Sequence, residues 1–287
     1  ELAQRFDDQH IAIRIKESTA REYRRNLRRF ILPAIGRMKV TEVTRADIAK
    51  FHHDLRHIPY QANRCLEIVS KMFNLAEVWG LRAEGSNPRR HLQKYPEKKR
   101  ERYLSPAELK RVGEVLREVE AEGRELASAV LAIRLLIYTG CRLSEITKLK
   151  WEYVDLEGSA LHLPDSKTGA KTIHIGRPAV ELLEGAPVIV GNPWVITGKM
   201  EGGRLTDLQP FWQRARTRAG LHDVRIHDLR HTFASTAVGA GQSLPMIGAL
   251  LGHTQVQTTA RYAHLASAPV KGAAEVISSL LEDTLCQ

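Results

Sequence analysis

Leu251-Gly252-His253, followed after eight more residues by Tyr262, is the stretch from which the rest of this chain can be read. Just upstream stands His227-Asp228-Leu229-Arg230, and far behind it Thr139-Gly140-Cys141-Arg142-Leu143-Ser144-Glu145. Gly140 and Gly252 are helix stops, and His227 lies at a helix start, so the three pieces belong to a mainly helical region. Together they bring two arginines, two histidines and a tyrosine. That set can attack a phosphodiester without a metal.

The chain has 287 residues, enough for two domains, and its 43% hydrophobic and 26% charged residues suit a globular protein with real cores. No apolar run approaches membrane-spanning length, and from the polar N-terminus no signal peptide is expected. Residue 1 is Glu rather than Met, so a trimmed N-terminus is expected, and whether an upstream domain is missing stays open. Cys65, Cys141 and Cys286 are scattered, which argues against a disulfide framework and fits a reducing cytoplasm. They are in no metal-ligand spacing, and no metal site is expected.

The net charge of +10 is unevenly placed. Residues 1–100 hold 22 Lys and Arg against 12 Asp and Glu, whereas residues 101–287 hold 21 of each. A basic first third suggests a polyanionic partner, with a phosphate backbone leading. Residues 1–85 read as a helical bundle. Ser18 or Thr19 caps a helix to about Phe30, ended by Pro33 and Gly36. Tyr23, Leu27, Phe30 and Ile31 share its inner face, and Arg21, Arg25 and Arg28 the outer one. Thr44-Arg45-Ala46-Asp47 is a capping box for a helix to about Arg56. A third helix spans about Gln61 to Trp79, with Arg64 and Lys71 outward. Each basic residue alone suits a solvated face; collectively they favour phosphate contacts. Residues 86–104 read as a flexible basic linker, including Arg89, Arg90, Lys94, Lys98, Lys99, Arg100 and Arg102.

A second domain is expected over residues 105–266. Ser105-Pro106-Ala107-Glu108 starts a helix, and a nearly all-apolar helix at about 125–138 is its core. Leu161-His162-Leu163 and Thr172-Ile173-His174-Ile175 alternate as antiparallel strands around the turn Asp165-Ser166-Lys167-Thr168-Gly169. Tyr153-Val154-Asp155-Leu156 adds a candidate first strand. Helices follow at about 178–184, 206–219, 227–238, 243–251 and 255–263. The fold class is therefore mainly α with a small antiparallel β-sheet. A tail over 267–287 carries Val270, Ala274, Ile277 and Leu281 as one apolar stripe.

Arg142 offers a permanently charged planar fork for two phosphate oxygens, or a salt bridge to Glu145; both can hold at once. Arg230 is a second such fork, as a pentacoordinate phosphorane needs. His253 can donate to a non-bridging oxygen. Tyr262, ordinarily a core residue in a helix, becomes a nucleophile where positive charge stabilises its oxyanion. Lys167 on a hairpin turn can reach a groove and protonate a departing oxygen.

In this order Arg142, Lys167, His227, Arg230, His253 and Tyr262 resemble the tyrosine recombinase, or phage integrase, family. The motifs Thr139–Ile146, His227–Ser235 and Leu251–His253 with Tyr262 carry the resemblance over roughly residues 104 to 264, and Glu145 matches the family's acidic supporting position. Lys171 lies close to Lys167, but the Ser-Lys-Thr-Gly turn makes Lys167 the better match. The resemblance implies two domains forming a C-shaped clamp on double-stranded DNA at attachment-type sites. It implies strand exchange through a 3′-phosphotyrosyl intermediate, without metal, ATP or other cofactor, in a homotetramer on DNA. It implies a bacterial or phage-encoded protein in the cytoplasm, at the nucleoid, serving a mobile element. It leaves open whether a directionality factor or DNA-bending protein takes part, and whether the apolar tail docks on its own domain or a neighbour's. A type IB topoisomerase and a non-catalytic DNA-binding regulator are the rival readings.

Overall fold

The computed structural model describes residues 1–98, 100–165, 169–253 and 255–263, together with 274, 276–279, 281, 282 and 284. The chain divides into two compact units, Glu1–Arg100 and Glu101–Gln287. No helix among the described residues is long and apolar enough to cross a membrane.

The regular elements described in the first unit are all helices. α1 (Leu2–Phe6) passes through a π turn at Asp7–Ile11 into α2 (Ala12–Arg14). α3 (Glu17–Asn26) runs through a second π turn at Leu27–Ile31 into α4 (Leu32–Ile35). This departs from the expected helix in two respects. Its cap is Lys16, with Ser18 and Thr19 already inside the first turn. It also passes Pro33 instead of ending there. Proline in a helix loses a hydrogen bond and crowds the carbonyl four residues back; the wider π turn lies at that position. α5 (Arg45–Asp54) begins on its capping box: Asp47 Oδ2 accepts from the Thr44 amide at 2.8 Å. α6 (Pro59–Val78) buries Ala62, Leu66, Val69, Phe73 and Ala76 as its periodicity requires, against Phe6, Ile11, Ile31 and Ile48.

The segment expected to be a flexible linker is tied to α6. Asn87 Nδ2 donates to Ser70 O and to Asn74 Oδ1 at 2.9 and 2.6 Å. The Tyr95 amide donates to Asn63 Oδ1 at 2.9 Å, and its ring stacks on His52 at 4.3 Å. Tyr60 Oη donates to Lys98 O at 2.8 Å. Buried amide partners, invisible to a composition-based reading, hold residues 87–98 on the first unit, whose boundary falls at Arg100.

The second unit starts with α7 (Pro106–Glu122), where Glu108 Oε2 accepts from the Ser105 amide at 2.8 Å. α8 (Ala127–Thr139) is apolar on most sides and packs against α7 and two later helices, α10 (Arg177–Glu184) and α12 (Ile226–Gly239). α9 (Leu143–Thr147) follows directly. β1 (Val154–Asp155), β2 (Ala160–Leu163) and β3 (Lys171–His174) form an antiparallel meander in that order, with Leu161 opposite Ile173 and Leu163 opposite Lys171. Leu161, Leu163 and Ile173 are buried while His162, Thr172 and His174 are exposed, the alternation a half-buried sheet needs. α11 (Gln209–Arg218) starts later than expected, with Pro210 in its first turn. α13 (Leu244–Leu251) and α14 (Val256–Ala260) complete the unit. α14 is shorter than expected, so Tyr262 lies in the turn after it, its amide donating to Thr259 O at 2.9 Å. Of the tail stripe, Val270 lies outside the described residues, whereas Ala274, Ile277 and Leu281 are helical and exposed.

Candidate active site

Two helix ends meet at this site because glycine permits both. Gly140 terminates α8 with φ at +61°, and a Cβ there would sit 2.7 Å from the Phe233 ring and 2.9 Å from Leu251. Gly252 terminates α13 with φ at +62°, and its Cβ would fall 2.8 Å from Lys171 Cδ and 2.9 Å from Nζ. The left-handed backbone favours glycine at both, and the packed Phe233 ring and Leu251 exclude a side chain at Gly140, whereas at Gly252 the tip of Lys171 would have to move. Arg230 clips the two ends together. Its Nη1 donates to Gly140 O at 2.7 Å and its Nη2 to Leu251 O at 2.8 Å, from a position only 4% exposed.

Arg142 is the N-cap residue of α9, as the Gly turn before it suggests. Its amide donates to Glu145 Oε2 and its Nη1 to Glu145 Oε1, both at 2.8 Å. The expected salt bridge forms. Lys171 Nζ forms an ion pair with the same Oε1 at 2.8 Å. Burial opposes ionisation of Glu145, but Lys171 and the Arg142 donors outweigh it, and the carboxyl stays below its ordinary pKa. Burial pushes the Lys171 pKa down, with Glu145 opposing. Two cations thus share one carboxylate, leaving local positive charge that suits an anion.

His253 follows the αL glycine, and its Nδ1 lies 2.7 Å from Thr259 Oγ1. Burial, then the charges of Arg230, Arg142, Lys171 and Arg261, pushes its pKa down to about 4. A neutral imidazole donates a hydrogen bond without adding a charge to this pocket. Tyr262 is 6% exposed and packs with Ala234, Val238, Ile247 and Leu251. Burial raises its phenol pKa, while Arg261 and Arg230 pull it back. Its Oη lies 2.5 Å from His231 Nδ1.

The structure brings Arg142, Glu145, Arg230, His253 and Tyr262 into one cluster, with His227 at its exposed edge. His227 and Arg230 diverge in burial despite their shared helix start. Lys167 and its neighbours Ser166 and Thr168 lie outside the described residues, as does Lys99 of the basic run. Two contributors escaped the sequence reading. Lys171, set aside there as the lesser match, closes the ion cluster. His231 was quoted only as part of its motif; its spacing of four from His227 was the available signal. In the first unit, Arg21, Arg25, Arg28, Arg64, Lys71 and Arg90 are exposed, whereas Arg89 is partly buried. Arg64 is also engaged by Glu67 at 2.8 Å.

Comparison with known proteins bears on this arrangement. Residues 102–268 match the phage integrase family, and residues 1–56 match the phage integrase N-terminal SAM-like domain. A shufflon-specific DNA recombinase of Escherichia coli is 31% identical over 205 residues, covering 70% of this chain and 50% of that protein. The integrase of Salmonella phage P22 is 31% identical over 188 residues, covering 60% and 46% respectively. The chain spans about half the length of these curated relatives. A lambda integrase dimer bound to a COC′ core site aligns with a TM-score of 0.76 at 20% identity, covering 91% of this chain and 93% of that one. The Tn1549 transposon integrase in complex with circular intermediate DNA gives 0.71 at 17% identity, with coverage of 91% and 93%. At these identities the structural likeness is one of fold.

Proposed function

The chain belongs to the phage integrase family, and from that premise we propose that it is a site-specific recombinase cleaving and rejoining double-stranded DNA at attachment-type sites. Tyr262 attacks the scissile phosphate, forming a 3′-phosphotyrosyl link and releasing a 5′-hydroxyl. Arg142, Arg230, His227 and His253 stabilise the charge that builds on the phosphorane oxygens. Lys167 protonates the departing oxygen, and His227 assists proton transfer in the reverse direction. The 5′-hydroxyl of a partner strand then reverses the link. The phosphotyrosine conserves the bond energy, so neither ATP nor a metal is needed. Glu145 orients Arg142.

The observation that carries this reading is the cluster itself: a buried tyrosine within reach of the charge of Arg230, which with Arg142 also acts on His253, drawn from segments far apart in sequence. The relatives are integrases and recombinases, which favours neither a supercoil-relaxing enzyme nor a non-catalytic regulator. The basic first unit supplies phosphate contacts through Arg21, Arg25, Arg28, Arg64, Lys71, Arg89 and Arg90. Two strand exchanges require four active sites, hence a homotetramer on two DNA sites. The exposure of Val276, Ile277 and Leu281 at 60%, 56% and 58% supports docking of the tail on a neighbouring protomer.

The test is to incubate the protein with a pool of nicked duplexes in EDTA without ATP, isolate covalent adducts and sequence the trapped DNA ends. Adducts at one recurring sequence, linked through Tyr262 and lost in Tyr262→Phe, are expected. An adduct that persists in Tyr262→Phe refutes the assignment of the nucleophile. Removal of residues 267–287 is expected to spare the folded monomer and abolish assembly on DNA, read by sedimentation.

A further inference from the structure

The hydrogen bond at the Tyr262 hydroxyl is made by His231 and not by His227, to which the reverse proton transfer was given above. The phenol of Tyr262 must lose its hydrogen when its oxygen attacks phosphorus, and burial makes that harder. The groups around it are largely committed. Arg230 spends Nη1 and Nη2 on the carbonyls of Gly140 and Leu251. His253 Nδ1 is engaged with Thr259. Arg261 stands over the phenol face, 5.8 Å from the ring centroid, where it is a source of charge and not a base. His231 is different: its Nδ1 is 2.5 Å from the phenolic oxygen, and the residue is only 8% exposed.

We propose that His231 is the proton acceptor for Tyr262, its Nδ1 taking the hydroxyl hydrogen as the oxygen bonds to phosphorus; this rests on reading Tyr262 as the nucleophile. In the forward step the Oη–H bond breaks and its proton moves to Nδ1. The oxygen's electron pair forms the Oη–P bond, the P–O5′ bond breaks, and the 5′-oxygen takes its proton from the acid. In resealing, the 5′-hydroxyl attacks phosphorus and gives its proton back to the deprotonated acid, the P–Oη bond breaks, and the Nδ1 proton returns to the phenolate.

The surroundings suit this exchange. α12 holds the His231 ring edge-on to His227, with centroids 4.9 Å apart and planes at 82°, which fixes its orientation. Burial, then the charges of His227, Arg261 and Arg230, with Asp228 opposing, pushes the His231 pKa down to about 4. The imidazole is therefore neutral near pH 7, with a lone pair to receive a proton. A phosphate docked among these cations offsets their charge and raises the basicity of His231 when the proton must move.

The test uses the duplex recovered from the trapped ends, synthesised with sulfur at the bridging 5′ position, so that the leaving group needs no acid. Single-turnover adduct formation is followed from about pH 5.5 to about pH 9 for the unaltered chain, His231→Gln, and His231→Ala with and without added imidazole. His231→Gln is expected to slow the step roughly 100-fold near neutral pH, with the deficit shrinking as pH rises. Imidazole is expected to restore rate to His231→Ala, and both variants should stay folded at the assay temperature and bind DNA as the unaltered chain does. An unchanged rate in His231→Gln, or a deficit equal at every pH with no imidazole rescue, overturns the proposal. A Tyr262-dependent adduct formed at full rate by His231→Gln sinks this inference alone. An adduct that survives Tyr262→Phe removes the reading beneath it and this inference together.

Discussion

Two ion clusters in this protein share one sequence plan and differ in almost everything else. In the first unit Arg64 and Lys94 grip the two oxygens of Glu67, at 2.8 and 2.5 Å. In the second, Arg142 and Lys171 both hold Glu145 at 2.8 Å. Each has an arginine three residues before the glutamate and a lysine 27 or 26 residues after it. The side chains of Arg64, Glu67 and Lys94 are 54%, 37% and 43% exposed, whereas those of Arg142, Glu145 and Lys171 are 19%, 3% and 10% exposed. Water screens the first cluster and gives its members alternative partners. The second has little such recourse, so its charges depend on one another. The spacing is thus no guide to importance; the dielectric around it is.

The sharpest way to break this comparison is to neutralise each glutamate. Glu145→Gln is expected to cost about 2–4 kcal/mol, because it leaves two largely desolvated cations uncompensated. Glu67→Gln is expected to cost about 0–1 kcal/mol after allowance for solvent screening. Denaturant unfolding of each variant decides it, and equal losses would erase the distinction.

Acid should separate the two units next. His231 and His253 have folded pKa values of about 4 against an ordinary 6.5. As pH falls below 6.5 the unfolded chain takes up these protons before the folded one, so stability declines as pH drops towards about 4. The loss is up to about 3 kcal/mol for His231 and less for the more accessible His253. The Glu145 contribution has the other window. Its pKa is depressed, so it is intact above 4.5 and fades as pH falls through its folded value. Unfolding followed against pH should show His253→Gln flattening the decline between about 6.5 and 4.

A smaller effect is expected at the lysines. Lys171→Met leaves Glu145 with Arg142 and should cost about 1–3 kcal/mol. Lys94→Met should stay within about 0.5 kcal/mol. Thermal unfolding of both, compared with the double variant Lys171→Met/Glu145→Gln, tests whether the buried cluster acts as one unit; additive losses would show that it does not.

Much of the fold was open to reading because its signals are local. The capping boxes at Thr44 and Ser105, the stops at Gly140 and Gly252, and the alternation in β2 and β3 all act within a few residues. The misreadings came where a local rule met a wider geometry. Pro33 continues a helix because a π turn precedes it, and the basic stretch after Ser86 is held down by Asn63, Ser70 and Asn74. Tyr262 was picked out by its motif, yet its position in a turn and its bond to His231 were not.

The amino-acid sequence by itself determined most of the helices, the pairing of β2 with β3, the excess of charge in the first third and the order of Arg142, His227, Arg230, His253 and Tyr262. Each of these follows from residue type and spacing along a single segment. Only the tertiary structure decided that Lys171 closes on Glu145, that Arg230 clips Gly140 to Leu251, and that His231 faces the hydroxyl of Tyr262. Those partners lie 26, 90, 21 and 31 residues apart. Helical periodicity speaks for neighbours three and four positions away and carries no information at such separations. Burial settles which of two similar clusters matters, and burial exists only once the chain has packed.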